Sequence, residues 1–194
     1  MDSAPTSDRF TGIVLAGGKS RRMDGVDKTV LDFQGRPLIR RVIDALTPMV
    51  STVVIASGKA NRLEGYDEYQ QVEDGVAGVG PLAGIRAGLA AARTEWAFVV
   101  AADMPYVEAP LIERILDLCA PGCEAVIPRI GDKLEPLHAA YRVDLMTRID
   151  EAIARGARKV TTAIEGASIH WLDLDEATSR AFFNVNYPGD LEPR

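Results

Sequence analysis

The sequence predicts an α/β protein built on a mostly parallel, mixed sheet with helices on both faces. Three observations carry that expectation. Short apolar runs rich in β-branched residues alternate with helix-period segments through the first half of the chain. Glycine-rich loops follow two of those runs, at 17–18 and 75–80. In the second half, Gly131-Asp132 separates two strand-like segments, and the hairpin this implies breaks the parallel pattern.

Each element has its own justification. Met1 to Phe10 is dominated by Ser, Ala, Pro, Thr and Asp and is expected to be a loose tail, leaving 11–194 as a single domain. Thr11–Leu15 is the first strand. Val30, Leu31 and Phe33 then supply residues for burial, and Gln34-Gly35-Arg36 turns the chain. Pro37 opens a helix, where its missing N–H costs nothing. Leu38, Val42, Ile43 and Leu46 form the apolar face of that helix, and Arg40, Arg41 and Asp44 the polar one.

Thr52–Ala56 is the second strand, closed by Ser57-Gly58, and Lys59–Tyr66 reads as a short helix and loop. Tyr69–Val72 is a third strand. Pro81 opens another helix, whose Gly84 and Gly88 lie one turn apart on one face and permit close approach to the sheet or to a ligand. Trp96–Ala101 is the clearest buried strand. After it come a helix at Pro110–Leu118, a strand at Ala125–Arg129, its hairpin partner at Leu134–Tyr141 and a helix at Val143–Arg155. A late strand at Ile169–Leu172 and a turn or helix started by Pro188 complete the order.

Bulk properties narrow the function classes. The 194 residues carry a formal net charge of -6 and no long basic run, which argues against a general nucleic-acid or membrane-surface binder. The longest apolar run, Trp96–Ala102, falls far short of the roughly 20 residues a membrane span needs. No apolar segment behind a basic start marks a signal peptide, so a cytoplasmic location is expected. Cys119 and Cys123 flank an Ala-Pro-Gly turn with no second Cys or His pair nearby, which argues against structural zinc. His138 and His170 lie in strand-like runs without a Ser or Cys nucleophile to pair with, which argues against catalysis by either.

The stretch from Leu15 to Lys28 departs from the acidic average. It joins Gly17 and Gly18 to four cations, Lys19, Arg21, Arg22 and Lys28, directly behind a strand. Glycines let backbone N–H groups approach phosphate oxygens, and the cations neutralise charge, so the loop suits a polyphosphate. It is not a Walker A loop, because Ile13 stands where that motif needs its first glycine. Two further features fit a nucleotide site: Gly80-Pro81-Leu82-Ala83-Gly84 at a loop-to-helix start, where a ligand is favoured for both glycines, and Asp103 directly behind the most apolar strand, where a carboxylate can hold a hard cation.

Leu-Ala-Gly-Gly-x-Ser-x-Arg-Met followed by Gly-Val-Asp-Lys resembles the signature loop of the molybdenum cofactor guanylyltransferase (MobA) family. Gly80-Pro-Leu-Ala-Gly84, Asp103-Met-Pro105, Glu135-Pro-Leu137 and Asn184-Val-Asn186 fall in that family's order, and the resemblance runs from about Thr11 onward. It implies a Rossmann-like nucleotidyltransferase fold and transfer of GMP from GTP to molybdenum-molybdopterin, with release of pyrophosphate. By resemblance, Leu15, Ala16, Gly17 and Gly18 meet the nucleotide, as do Gly80, Pro81 and Leu82. Lys28 contacts phosphate, Arg22 adds charge on the triphosphate, Asp74 faces the nucleoside and Asp103 binds Mg2+. Asn184, Asn186 and Arg158 are candidates for the pterin side, since amides and guanidinium groups can read a pterin edge or its phosphate. GTP, molybdenum-molybdopterin and the proteins that donate and receive the cofactor are the implied partners.

One departure is visible: Ala56-Ser57 stands where many family members carry an Asn. A cytidylyltransferase acting on the same cofactor and a sugar-1-phosphate guanylyltransferase remain the rival enzymes. A non-catalytic nucleotide- or cofactor-binding module is the rival of a different class, opposed by the presence of both Lys28 and Asp103.

Overall fold

A computed structural model describes residues 6–17, 31–58, 63–73 and 79–191. The elements are β1 (Phe10–Leu15), α1 (Leu38–Leu46), β2 (Thr52–Ala56), β3 (Gln70–Val72), α2 (Pro81–Ala91) and β4 (Trp96–Ala101), followed by α3 (Ala109–Asp117) and β5 (Ala125–Ile130). Then come β6 (Lys133–Leu134), β7 (His138–Arg142), α4 (Leu145–Ala154), α5 (Val160–Ala163) and β8 (Ile169–Leu174).

Strands β3, β2, β1 and β4 lie side by side in parallel, and β7 adds to β4 antiparallel. Strand β8 pairs with β5 in parallel along its whole length, from Ala125↔Ile169 to Ile130↔Leu174. The opposite edge of β5 is therefore shared, by β7 at its start and β6 at its end. All the long strands except β7 thus point one way, and their carboxyl ends form a common rim.

Both faces of this sheet are covered, so its central strands are apolar on both sides. In β4, Trp96, Phe98 and Val100 face α1 and α3, while Ala97 and Val99 face α2, α4 and α5. All five are fully buried. The alternation follows from the two-residue period of a strand.

Most expected elements are present, with informative differences. Strand β1 begins at Phe10, one residue before the expected start at Thr11; Phe10 is fully buried and paired with Trp96, and Thr6–Arg9 forms a 3-10 turn. The expected hairpin partner at 134–141 is split in two. Pro136 cannot donate a ladder hydrogen bond, so β6 stops at Leu134 and β7 restarts at His138, inserted between β4 and β5. Helix α5 and the 3-10 turn at Glu176–Phe182 have no counterpart in the sequence-based expectation. The turn expected at 34–36 forms with Phe33 N–H donating to Arg36 O at 2.9 Å. Its two central residues have positive φ, 55° at Gln34 and 81° at Gly35, as a two-residue hairpin requires. Part of the Lys59–Tyr66 expectation, 59–62, lies outside the described residues.

Gly88 holds α2 against the sheet. A Cβ there would lie 2.5 Å from Cγ2 and 2.8 Å from Cδ1 of Ile13, a fully buried side chain. Gly84 is almost as tight, 3.1 Å from Leu15 Cδ2. Both glycines therefore serve helix-on-sheet packing. Gly88→Ala gains about 1 kcal/mol of helix propensity but forces a shift that overpacking data put at about 1–3 kcal/mol. Chemical denaturation should show net destabilisation. The double variant with Ile13→Ala should lose less than the sum of the single losses, because the clash is gone; strict additivity would remove Ile13 as the cause.

His138 is a buried imidazole in an apolar setting. Its ring stands edge-on to Phe98 at 5.2 Å and to Phe182 at 5.1 Å, and neither ring nitrogen has a hydrogen-bond partner among the described residues. Burial lowers its pKa from 6.5 to about 3. The native state keeps it neutral while the unfolded chain binds a proton below pH 6.5, so stability contributed above that pH drains away as pH falls towards 3. Relative to His138→Leu, the wild type should lose about 2 kcal/mol of unfolding free energy between pH 7.5 and pH 5. Urea titrations of both proteins at the two pH values check this, and equal losses would show that His138 is not the titrating group.

Candidate active site

The rim of the sheet gathers the candidate residues because the strand registers align. Leu15 pairs with Ala56 on one side and Ala101 on the other. The pattern continues past the strands, with Ala16 N–H donating to Ala56 O at 2.9 Å and Ala102 N–H to Leu15 O at 3.0 Å. Ser57 N–H donates to Val72 O at 3.1 Å. Gly17, Ser57, Glu73 and Asp103 therefore leave the sheet at one level.

Leu15 and Ala16 are buried, at 8% and 2% exposure, so only their backbone can meet a ligand at the rim, whereas Gly17 is exposed. Helix α2 begins at the same rim. Gly80 caps it with φ +66°, a conformation that favours glycine, and Pro81 occupies its first turn. The side chain of Leu82 is fully buried, which leaves its backbone as the part available to a nucleotide. Pro81 has no N–H and Ala83 N–H donates to Gly80 O at 3.2 Å, so what this terminus offers a phosphate is chiefly the positive end of the helix dipole. Gly18, Lys19, Arg21, Arg22, Lys28 and Asp74 lie outside the described residues.

Asp103 is held from two directions. Its carbonyl accepts from Val185 N–H at 2.9 Å, and the turn it enters is closed by Met104 N–H to Ala101 O at 3.3 Å. Two residues on, Pro105 O accepts from Arg41 Nε of α1 at 3.3 Å, and the Arg41 guanidinium lies 5.4 Å from the Phe33 ring centre. Arg41 thereby ties the segment after the signature loop to the Asp103 turn.

The Val185 bond brings Asn184 and Asn186 beside Asp103. Their amide nitrogens are engaged locally, Asn184 Nδ2 with Phe182 O at 3.1 Å and Asn186 Nδ2 with Asn184 O at 3.3 Å. Asp190 caps the segment, its Oδ2 accepting from the N–H groups of Asn186 and Tyr187 at 3.0 Å each. Arg158 is exposed between α4 and α5 and donates to Ala157 O at 3.1 Å.

Several rim residues carry no periodic signal in the sequence. Glu135 is 6% exposed, and Lys133 Nζ lies 2.7 Å from its Oε1. Tyr106 stacks under the Arg180 guanidinium at 4.2 Å and meets Phe33 edge-on at 5.6 Å. The resemblance marked Glu135 without a role; a polar residue at the end of a two-residue strand beside Pro136 is the hint that burial was possible. Arg180 and Tyr106 are brought together by tertiary structure alone.

As to metal, no group of three or more His, Cys, Asp or Glu side chains forms a cage among the described residues. Asp103 is half-buried at the rim, behind β4 and one strand across from Gly17. One hard carboxylate at such a place fits Mg2+, which keeps waters and takes its other oxygens from substrate phosphates. Burial pushes the Cys119 thiol up to about 12, consistent with an inert core residue. No helix among the described residues is long and apolar enough to cross a membrane.

Residues 12–168 match the model of the MobA-like NTP transferase domain family. The chain is 37% identical to a protein of Natronomonas pharaonis named "Probable molybdenum cofactor guanylyltransferase", over 94% of this chain and 95% of that one. It is 32% identical to the molybdenum cofactor guanylyltransferase of Vibrio cholerae, over 92% and 88%. The crystal structure of molybdopterin-guanine dinucleotide biosynthesis protein A from Archaeoglobus fulgidus superposes with a TM-score of 0.78 at 31% identity, covering 93% of this chain and 94% of that one. With the glycine loop, the α2 terminus and Asp103 on one rim, these matches make the chain a member of the MobA-like NTP transferase family.

Proposed function

We propose that this chain is a molybdenum cofactor guanylyltransferase, a single nucleotidyltransferase domain over 11–194 that transfers GMP from GTP to molybdenum-molybdopterin. The observation that carries the reading is the convergence of Gly17, the α2 N-terminus and Asp103 on the carboxyl rim, in a chain similar along most of its length to proteins of that name. A terminal phosphate oxygen of the acceptor attacks the α-phosphorus of GTP. The bond from that phosphorus to the bridging oxygen breaks, and pyrophosphate carries away the charge.

The chemistry needs alignment and charge neutralisation rather than a covalent nucleophile. The backbone of Leu15, Ala16, Gly17 and Gly18 holds the nucleotide, with Gly80, Pro81 and Leu82 on its other side at the positive end of α2. Lys28 and Arg22 offset the charge of the triphosphate, and Asp74 orients the nucleoside. Asp103 would hold Mg2+. When bound, the ion supplies positive charge to the phosphate oxygens. Val185 and Arg41 bond the backbone of the Asp103 turn and so fix the point from which its side chain extends. Asn184, Asn186 and Arg158 stay as candidates for the acceptor side, and the donor and recipient proteins of the cofactor as transient partners in the cytoplasm.

GTP with Mg2+ should raise the thermal midpoint, through preferential binding to the folded state, while ATP, UTP and CTP should not. Lys28→Ala should weaken the shift. Asp103→Asn should lower turnover to molybdopterin guanine dinucleotide by about 100-fold or more and make both turnover and the GTP shift insensitive to EDTA. A larger shift with CTP would transfer the assignment to the cytidylyl enzyme; binding of GTP without turnover by the wild type would favour the non-catalytic module.

A further inference from the structure

The rim continues past Asp103, away from the nucleotide side, into a pocket of about 410 Å3 lined by Tyr106, Lys133, Ser179, Arg180, Phe182 and Phe183. That volume lies within the roughly 300–1,000 Å3 of ordinary small-molecule sites. We infer that this pocket is the acceptor subsite, with Tyr106 and Phe183 receiving the acceptor's fused planar ring and Lys133 and Arg180 its phosphate. The inference rests on the functional reading above, since it takes the acceptor to be a phosphorylated pterin-class molecule.

Position supports it first. In the sheet, β4 separates the β1–β2–β3 side, where the glycine loop and α2 begin, from the side that carries β5 and β6. Asp103 follows β4, so it stands between the two. The pocket lies on the β6 side, because Lys133 belongs to β6. It also adjoins Asp103 through both segments that hold that residue: Tyr106 lies just beyond the Asp103 turn, and Phe182-Phe183 lead into Val185, whose N–H donates to Asp103 O. An in-line displacement at phosphorus brings the attacking oxygen in opposite to the leaving group. A nucleotide held on the β1 side therefore calls for an acceptor on the other.

Chemistry supports it second. Tyr106 and Phe183 are partly exposed over the buried Phe182 and offer apolar ring surface, and the Arg180 guanidinium already lies 4.2 Å from the Tyr106 ring centre, an arrangement that extends the platform with a cationic plane. Arg180 and Lys133 are both exposed at the pocket, while the Lys133 ammonium is steadied by buried Glu135 at 2.7 Å. Two cations beside an aromatic surface suit a flat molecule with an anionic tail. By contrast, the amide nitrogens of Asn184 and Asn186 are engaged with backbone carbonyls, which leaves the ring and phosphate contacts to the pocket.

The test uses the monophosphate of 6-hydroxymethylpterin, whose fluorescence reports stacking, titrated into the full chain with and without GTP and Mg2+. Arg180→Ser alters an exposed side chain and should fold normally; Lys133→Ser is made together with Glu135→Gln, so that no unpaired carboxylate is left buried; Tyr106→Leu removes the ring platform. Arg180→Ser and Tyr106→Leu should each raise the Kd for the phosphopterin about tenfold, and the Lys133→Ser, Glu135→Gln double variant severalfold, with the GTP-induced thermal shift unchanged in all three. The same variants should raise KM for molybdenum-molybdopterin and leave KM for GTP alone. Wild-type binding of the phosphopterin that persists unaltered in Arg180→Ser and in the double variant overturns the pocket assignment and leaves guanylyl transfer standing. A wild type that binds GTP but no phosphopterin overturns the acceptor in the functional reading, and the pocket with it.

Discussion

The pairing of β1 with β4 is the constraint on which the site depends. Six residues of β1, Phe10 to Leu15, run in register with Trp96 to Ala101, and both strands are buried along their whole length. Strand side chains alternate between faces, so a slip of one residue would send Ile13 towards α1 and α3 and Val14 towards α2. Each misplaced large aliphatic side chain forfeits much of a burial contribution worth about 1.5–3 kcal/mol. That penalty, multiplied over two faces, fixes the level at which Gly17 and Asp103 emerge. The chemistry of the rim is thus set by side chains that never touch a ligand.

Helix α2 is placed by the same sheet. Bringing its first turn to the rim requires the helix to lie close to β1 and β2, and Gly84 and Gly88 remove the Cβ atoms that would hold it off. Glycine in a helix interior costs about 1 kcal/mol relative to alanine. Close packing against Ile13, Leu15 and Ala56 offsets that cost, and the N-terminus of the helix arrives beside the glycine loop as a result.

What was legible in the sequence followed from local physics. Thr52–Ala56 and Trp96–Ala101 read as strands because uninterrupted apolar or β-branched runs of that length have few other uses, and both strands have those limits. Pro37 and Pro81 marked helix starts within a residue. Asp103 was conspicuous as a carboxylate directly behind the most apolar run. What remained hidden depends on distant parts of the chain. The insertion of β7 between β4 and β5 is decided by long-range pairing, and α5 is too short to show a period. Gly84 suited a ligand from its place at a loop-to-helix start, but its neighbours Leu15 and Ala56 give it to the sheet. The aromatic and cationic pocket is assembled from the Asp103 turn, the β5–β6 hairpin and the 3-10 turn at 176–182; the first two were legible singly, but nothing local showed that the three meet.

The two sides of the rim share a wall. Phe33, at the far end of the segment that begins with the glycine loop, meets Tyr106 at 5.6 Å, and Tyr106 in turn meets Phe183 at 6.1 Å. Leu38 and Val185 lie in the same apolar cluster, both fully buried. The Phe33–Leu38 segment, the Asp103 turn and the segment from Phe183 to Val185 are therefore packed on one another, with Arg41 bonded to the turn from α1. A displacement of any one of these segments would disturb the other two, because close-packed side chains leave little room for independent movement. An overall acidic protein that must bring two phosphate-bearing substrates together benefits from such a wall. The spacing of Asp103 from the α1 and 183–185 segments is held by apolar packing rather than by ion pairs that solvent would screen.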